Sequence, residues 1–240
     1  MTQESSVNPS WLSPAHRLLY ETYARYWRLW QLVCAYRHLS REGIPLAGKI
    51  QEQKIRDFFA PAEIEVSTGS DLGRSQAAVD AATIVFAHTV LDGVAHDYCR
   101  VIALHCPLDW ATDLERKQVT LAEIGAASYE VLLHRALEKL LKDIERSSLL
   151  TKIDLLHKKC AHGRKFTYFK YVFDRERIKH LDDTRHEIIH GGGLGKPIPG
   201  IDEYLQFIAE TVMYLTALIK FGYGLGLEAD LFVAHLGTGA

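Results

Sequence analysis

The sequence predicts an all-α protein: an up-and-down helical bundle with an additional long N-terminal helix. Three observations lead there. Apolar residues recur at three- and four-residue steps through most of the chain. No alternating run bounded by hairpin turns reads as a firm strand. Six or so helical segments follow one another with short connections. The 240 residues are 48% hydrophobic and 24% charged, enough to bury a sizeable core.

Residues 1–11 carry neither a basic flank nor an apolar run, so they read as a disordered tail rather than a leader. Residues 12–74 form an N-terminal helical extension and a connection. Between Ala15 and Leu39 the residues Leu19, Tyr23, Tyr26, Trp30 and Val33 share one helical face. In Arg25-Tyr26-Trp27-Arg28 the rings are expected to pack and the arginines to face water. Pro45, Pro61 and Ser67-Thr68-Gly69-Ser70 mark the connection, with a short helix at Lys49–Phe59.

Residues 75–225 read as the bundle and 226–240 as a C-terminal tail. Its helices are predicted at Gln76–His105, stopped by Pro107, then at Tyr129–Arg146 and Thr151–Ala161. In the second of these Glu138 and Lys142 stand four residues apart as a helical ion pair. Asp174 can cap a helix that runs to the glycines Gly191–Gly193, and a last helix spans Asp202–Phe221. Weak extended signals are confined to Glu63-Ile64-Glu65-Val66 and Thr167-Tyr168-Phe169.

Lys plus Arg number 28 against Asp plus Glu 30, a net charge of -2, so a nucleic acid would have to be held by a local patch. Residues 151–180 supply one, with nine basic and three acidic side chains. Lys158, Lys159, Arg164 and Lys165 are its candidate RNA-binding residues. Asp80, Asp92, Glu210 and Lys220 interrupt the longer apolar stretches, so no membrane span is expected. Cys34, Cys99, Cys106 and Cys160 lack a CxxC pair and fit the reduced thiols of a cytoplasmic protein.

Chemistry concentrates in Leu181-Asp182-Asp183-Thr184-Arg185-His186-Glu187-Ile188-Ile189-His190-Gly191-Gly192-Gly193. One reading is zinc: His186-Glu187-Ile188-Ile189-His190 places two imidazoles one turn apart, with a glutamate to activate water. Lys196 stands where the longer zinc pattern has its third histidine, so Glu203 or Glu210 would have to complete the site. The glycines that follow do not make a phosphate loop, because Pro197 replaces the required Ser or Thr.

The other reading takes Arg185 and His190 as R-x4-H, with polar His186 after the arginine. Here the chain resembles the HEPN superfamily, all-α proteins whose nuclease members carry R-x4-6-H near the start or end of a core helix. On a helical wheel Ile178, Leu181, Ile188 and Ile189 define the core-facing side, with Arg185 in its middle. An unpaired buried guanidinium is costly. The resemblance implies an acidic or polar partner from an earlier helix, and Asp92 is the candidate, with His88 and His96 on its face. Residues five apart point about 140° apart on a regular helix. Unwinding near the glycines would bring Arg185 and His190 together, and the resemblance implies a second remedy, a homodimer with two motifs facing across one cleft.

The resemblance thus implies a metal-independent endoribonuclease without cofactor, acting as a toxin or antiviral defence effector with an antitoxin or regulatory protein as partner. His190 would be the general acid or base, Arg185 would stabilise the phosphorane, His186 would orient phosphate or assist proton transfer, and Asp92 and Glu187 would support them. Gly192 stands where toxins silenced by nucleotide modification have a tyrosine. A zinc hydrolase and a non-catalytic HEPN-like binding module are the alternatives.

Overall fold

Residues with helical spacing do form helices, and a computed structural model describes them for residues 13–41, 70–114, 128–168, 171, 173–190 and 198–227. Among the described residues there are seven helices and no strand. They are α1 (Pro14–Arg41), α2 (Ser70–His105), α3 (Ala111–Leu114, entered through a 3-10 turn at Pro107–Trp110), α4 (Tyr129–Glu145), α5 (Leu149–Ala161), α6 (Arg175–His190) and α7 (Ile201–Tyr223). The short helix at Lys49–Phe59, the Glu63–Val66 segment, the side chain of Cys34 and the glycines Gly191–Gly193 lie outside the described residues. Tyr168 and Tyr171 make one isolated antiparallel bridge, a turn and not a strand.

α2 is the central element and touches α1, α4, α5, α6 and α7. Its composition explains this: Ala81, Ile84, Ala87, Leu91, Val94, Ala95, Tyr98 and Ile102 are buried on successive turns, so the helix is apolar on most sides. The long N-terminal helix packs on it through Leu19, Tyr26 and Val33, which join the same core cluster. Asp97 of α2 fastens α1 by pairing with Arg25 and accepting a hydrogen bond from Thr22 at 3.4 Å. The next residue, Tyr98, is hydrogen-bonded to Thr216 of α7 at 2.7 Å. Although each carries charges, α2 from Ala77 and α7 are both long and apolar enough to cross a membrane by length and composition, and here half of each apolar window is buried in the bundle.

Local signals set the helix ends. Ser148 caps α5 by accepting from the Thr151 N–H at 3.2 Å, which starts that helix at Leu149, two residues before the expected Thr151. Asp174 caps α6 as expected, accepting from the Arg177 N–H at 3.0 Å. The three- and four-residue spacing of apolar residues gives α4 a buried stripe of Ala136, Leu137, Leu140, Leu141 and Ile144. Its Glu138 carboxylate reaches Arg100 of α2 at 3.8 Å rather than Lys142 on its own helix, so that ion pair ties two helices together.

α5 and α7 approach closely near Gly222. A Cβ placed there would lie 2.6 Å from the Cys160 carbonyl oxygen, and a backbone atom cannot rotate away. Gly222→Ala is therefore expected to destabilise the fold by about 1–3 kcal/mol, the usual cost of overpacking. Thermal unfolding checks this, with a midpoint lowered by roughly 2–4 °C per kcal/mol at this chain length.

Candidate functional site

α6 carries the motif residues, and its pattern decides which of them meet the core. Ile178, Leu181 and Ile188 are buried, whereas Ile189, expected on the same side, is 44% exposed. It lies at the edge of the apolar arc, next to His190. Arg185 is half-buried, and its Nε is shielded from solvent with no hydrogen-bond partner among the described residues. His186, Glu187 and His190 are exposed, and the two imidazole rings lie 4.7 Å apart on consecutive turns.

Asp92 does not meet Arg185. Both of its carboxylate oxygens accept from Lys152 Nζ at 2.7 Å, and the lysine side chain is only 1% exposed. The physical reason lies in α5: Leu149, Lys152, Ile153, Leu156, Lys159 and Cys160 follow one helical stripe and are all buried. A lysine drawn into that stripe needs a carboxylate, and Asp92 on the neighbouring helix supplies it. Arg185 has no carboxylate partner among the described residues.

His88, Asp92 and His96, which share one face of α2, go to different partners. Buried His88 is bonded through Nε2 to Asp182 on α6 at 2.5 Å, Asp92 serves α5, and His96 Nδ1 lies 3.4 Å from its neighbour Asp97. The His88 bond fixes α6 against α2 three residues before Arg185.

The basic segment is partly structural. Lys159, expected to face RNA, is buried, donates to the Asp109 carbonyl at 2.6 Å and the Asp113 carboxylate at 2.5 Å, and sits 4.8 Å from the Trp110 ring centroid. Arg175 is held by Asp154 at 2.6 Å. Lys158, Arg164, Lys165 and Lys179 remain exposed, Arg164 lying over the Phe221 ring at 4.5 Å. The stretch thus presents less free positive charge than its composition suggests.

α6 remains α-helical through His190, so unwinding does not bring Arg185 and His190 together. The two side chains leave the helix about 140° apart. For zinc, the spacing of His186 and His190 is suitable, but among the described residues no group of three or more His, Cys, Asp or Glu could hold a metal ion. Glu210, one candidate third ligand, instead accepts from Gln206 at 2.8 Å. Cys99, Cys106 and Cys160 are free thiols. Burial pushes the Cys99 thiol up to about 12 and raises Cys160 as well, so neither provides a thiolate nucleophile.

Comparison of the chain with protein families, curated proteins and solved structures gave no match to a family model, a curated protein or a solved structure.

Proposed function

We propose that the protein is a metal-independent endoribonuclease of HEPN type, with the end of α6 as its active site. The observation that carries this reading is Arg185. Its Nε is buried and has no hydrogen-bond partner among the described residues, and the same helix carries two exposed imidazoles one turn apart, so a guanidinium anchored in the fold is left without a described anion. A phosphodiester would be such an anion, since guanidinium and phosphate pair through charge-assisted hydrogen bonds.

In this mechanism His190 removes the ribose 2'-OH proton or protonates the departing 5'-oxygen. The 2'-oxygen attacks phosphorus, the bond to the 5'-oxygen breaks, and the product strand ends in a 2',3'-cyclic phosphate. Arg185 balances the charge that builds on the phosphorane, and His186 positions the phosphate or relays a proton. Asp92 has no part in this scheme, because its carboxylate is committed to Lys152. The divergence of Arg185 from His190 on a straight helix favours a site completed across a homodimer. The exposed Ile189 between His186 and His190 gives that end of α6 an apolar contact for a second copy. A role as a toxin or antiviral effector, under an antitoxin or regulatory protein, follows from the resemblance.

The mechanism requires the 2'-OH. An RNA oligonucleotide with a single 2'-deoxy residue on the 5' side of a mapped cut is expected to resist cleavage at that bond and remain cleavable elsewhere. Cleavage at the deoxy position would require an external water nucleophile and would contradict the proposal.

A further inference from the structure

Away from the end of α6, a cleft of about 220 Å³ opens between the first half of that helix and the start of α7. Its volume is below that of a pocket for a drug-sized ligand, so one small ring system would fill it. The Arg177 guanidinium carbon lies 4.3 Å from the ring centroid of Phe207. That ring is 2% exposed, and both it and the guanidinium above it line the cleft. Arg177 has no carboxylate partner among the described residues.

The other walls carry hydrogen-bonding groups. Tyr204 OH and His180 Nε2 lie 2.6 Å apart, and Thr184 Oγ1 approaches the same phenol at 3.4 Å. The Thr184 hydroxyl donates to the His180 carbonyl at 2.8 Å, so when His180 donates through Nε2–H the phenol proton turns either to Thr184 Oγ1 or to a ligand acceptor. Glu203 also lines the cleft, exposed and without a partner among the described residues, and its carboxylate can accept two hydrogen bonds. Pro199 and Gly200 complete the lining.

An arginine plane for stacking, a carboxylate accepting two bonds and a hydroxyl donor together match a nucleobase more closely than a free phosphate, which Glu203 would repel. We propose that this cleft is a base-reading subsite for guanine. Guanine offers N1–H and the N2 amino group to the Glu203 carboxylate, and its O6 accepts from Tyr204, while the ring stacks on Arg177. Adenine and cytosine would set a ring-nitrogen lone pair against the carboxylate, and uracil has only one N–H to give. His180 lies ten residues before His190, about 15 Å along the helix axis, so the base read and the phosphate cut belong to different nucleotides. The inference deepens the ribonuclease reading by adding a sequence preference and rests on that reading for its substrate class.

The test is calorimetric titration of the full chain with guanosine, adenosine, cytidine and uridine 5'-monophosphates, alongside Glu203→Gln and His190→Ala, with the cut sites of the wild type mapped in parallel. Guanosine monophosphate is expected to bind at least about tenfold more tightly than the others, as one lost bidentate pair implies. Glu203→Gln is expected to remove most of that preference, and His190→Ala to keep it. Equal binding of all four nucleotides, no binding at millimolar concentration, or a preference unchanged in Glu203→Gln would overturn the subsite. Guanine-selective binding without RNA cleavage would uphold the subsite and remove the ribonuclease reading; cleavage without guanine selectivity in either assay would do the reverse.

Discussion

His190→Ala is expected to lower RNA cleavage by about 10²–10⁴-fold, the range for loss of a general acid or base, with no comparable loss of stability. The side chain is exposed at the end of α6, and its recorded contact is the neighbouring His186 ring. Its removal therefore opens no cavity and strands no buried group. Thermal unfolding and cleavage rate, measured on the same preparation, separate the two effects. A variant that keeps wild-type cleavage would place the chemistry elsewhere.

Asp92→Ala is expected to do the opposite. It leaves the Lys152 ammonium, 1% exposed, without a counter-charge, and breaking a buried pair on one side costs about 3–5 kcal/mol. Asp92 is itself 33% exposed, and water entering through its vacated site moves the expectation to the lower end, about 3 kcal/mol. Lys152→Met should cost much less, because an apolar chain suits the stripe of α5 and Asp92 can still reach water. Cleavage per folded molecule should be unchanged in Asp92→Ala. If it falls in proportion to His190→Ala while the unfolding midpoint holds, Asp92 positions the site after all and the assignment to Lys152 is wrong.

How far the sequence speaks for the structure differs between these residues. Helix periodicity is a local property, so the bundle, the Asp174 cap and the apolar stripe of α4 were legible in it. The partly buried position of Arg185 was legible too, because a wheel needs only the spacing of Ile178, Leu181 and Ile188. Its partner was not, since pairing across helices depends on rotation and register that no single helix encodes. Asp92 shows this: once α5 presents Lys152 at the same contact, the nearer cation takes the carboxylate.

A charge count over residues 151–180 was also a poor guide, although the needed signal was present. Lys152 lies three residues after Leu149 and four before Leu156, and Lys159 lies three after Leu156. A wheel drawn on α5 would have placed both lysines on the buried face. The cleft at His180 and Tyr204 had no such signal, because it joins residues of two helices whose approach is set by the core. Its arginine and histidine, Arg177 and His180, do not have the R-x4-H spacing.

The most direct test of the central claim is cleavage of total RNA and tRNA in excess EDTA by the wild type, His190→Ala, Arg185→Ala and Glu187→Ala. The account predicts fragments ending in 2',3'-cyclic phosphate from the wild type and Glu187→Ala, and none from the other two. Hydrolysis that stops in EDTA and in Glu187→Ala, restored by zinc in the wild type, would contradict it and assign His186, Glu187 and His190 to a metal centre; intact RNA in every sample, with and without EDTA, would contradict it in favour of a binding module.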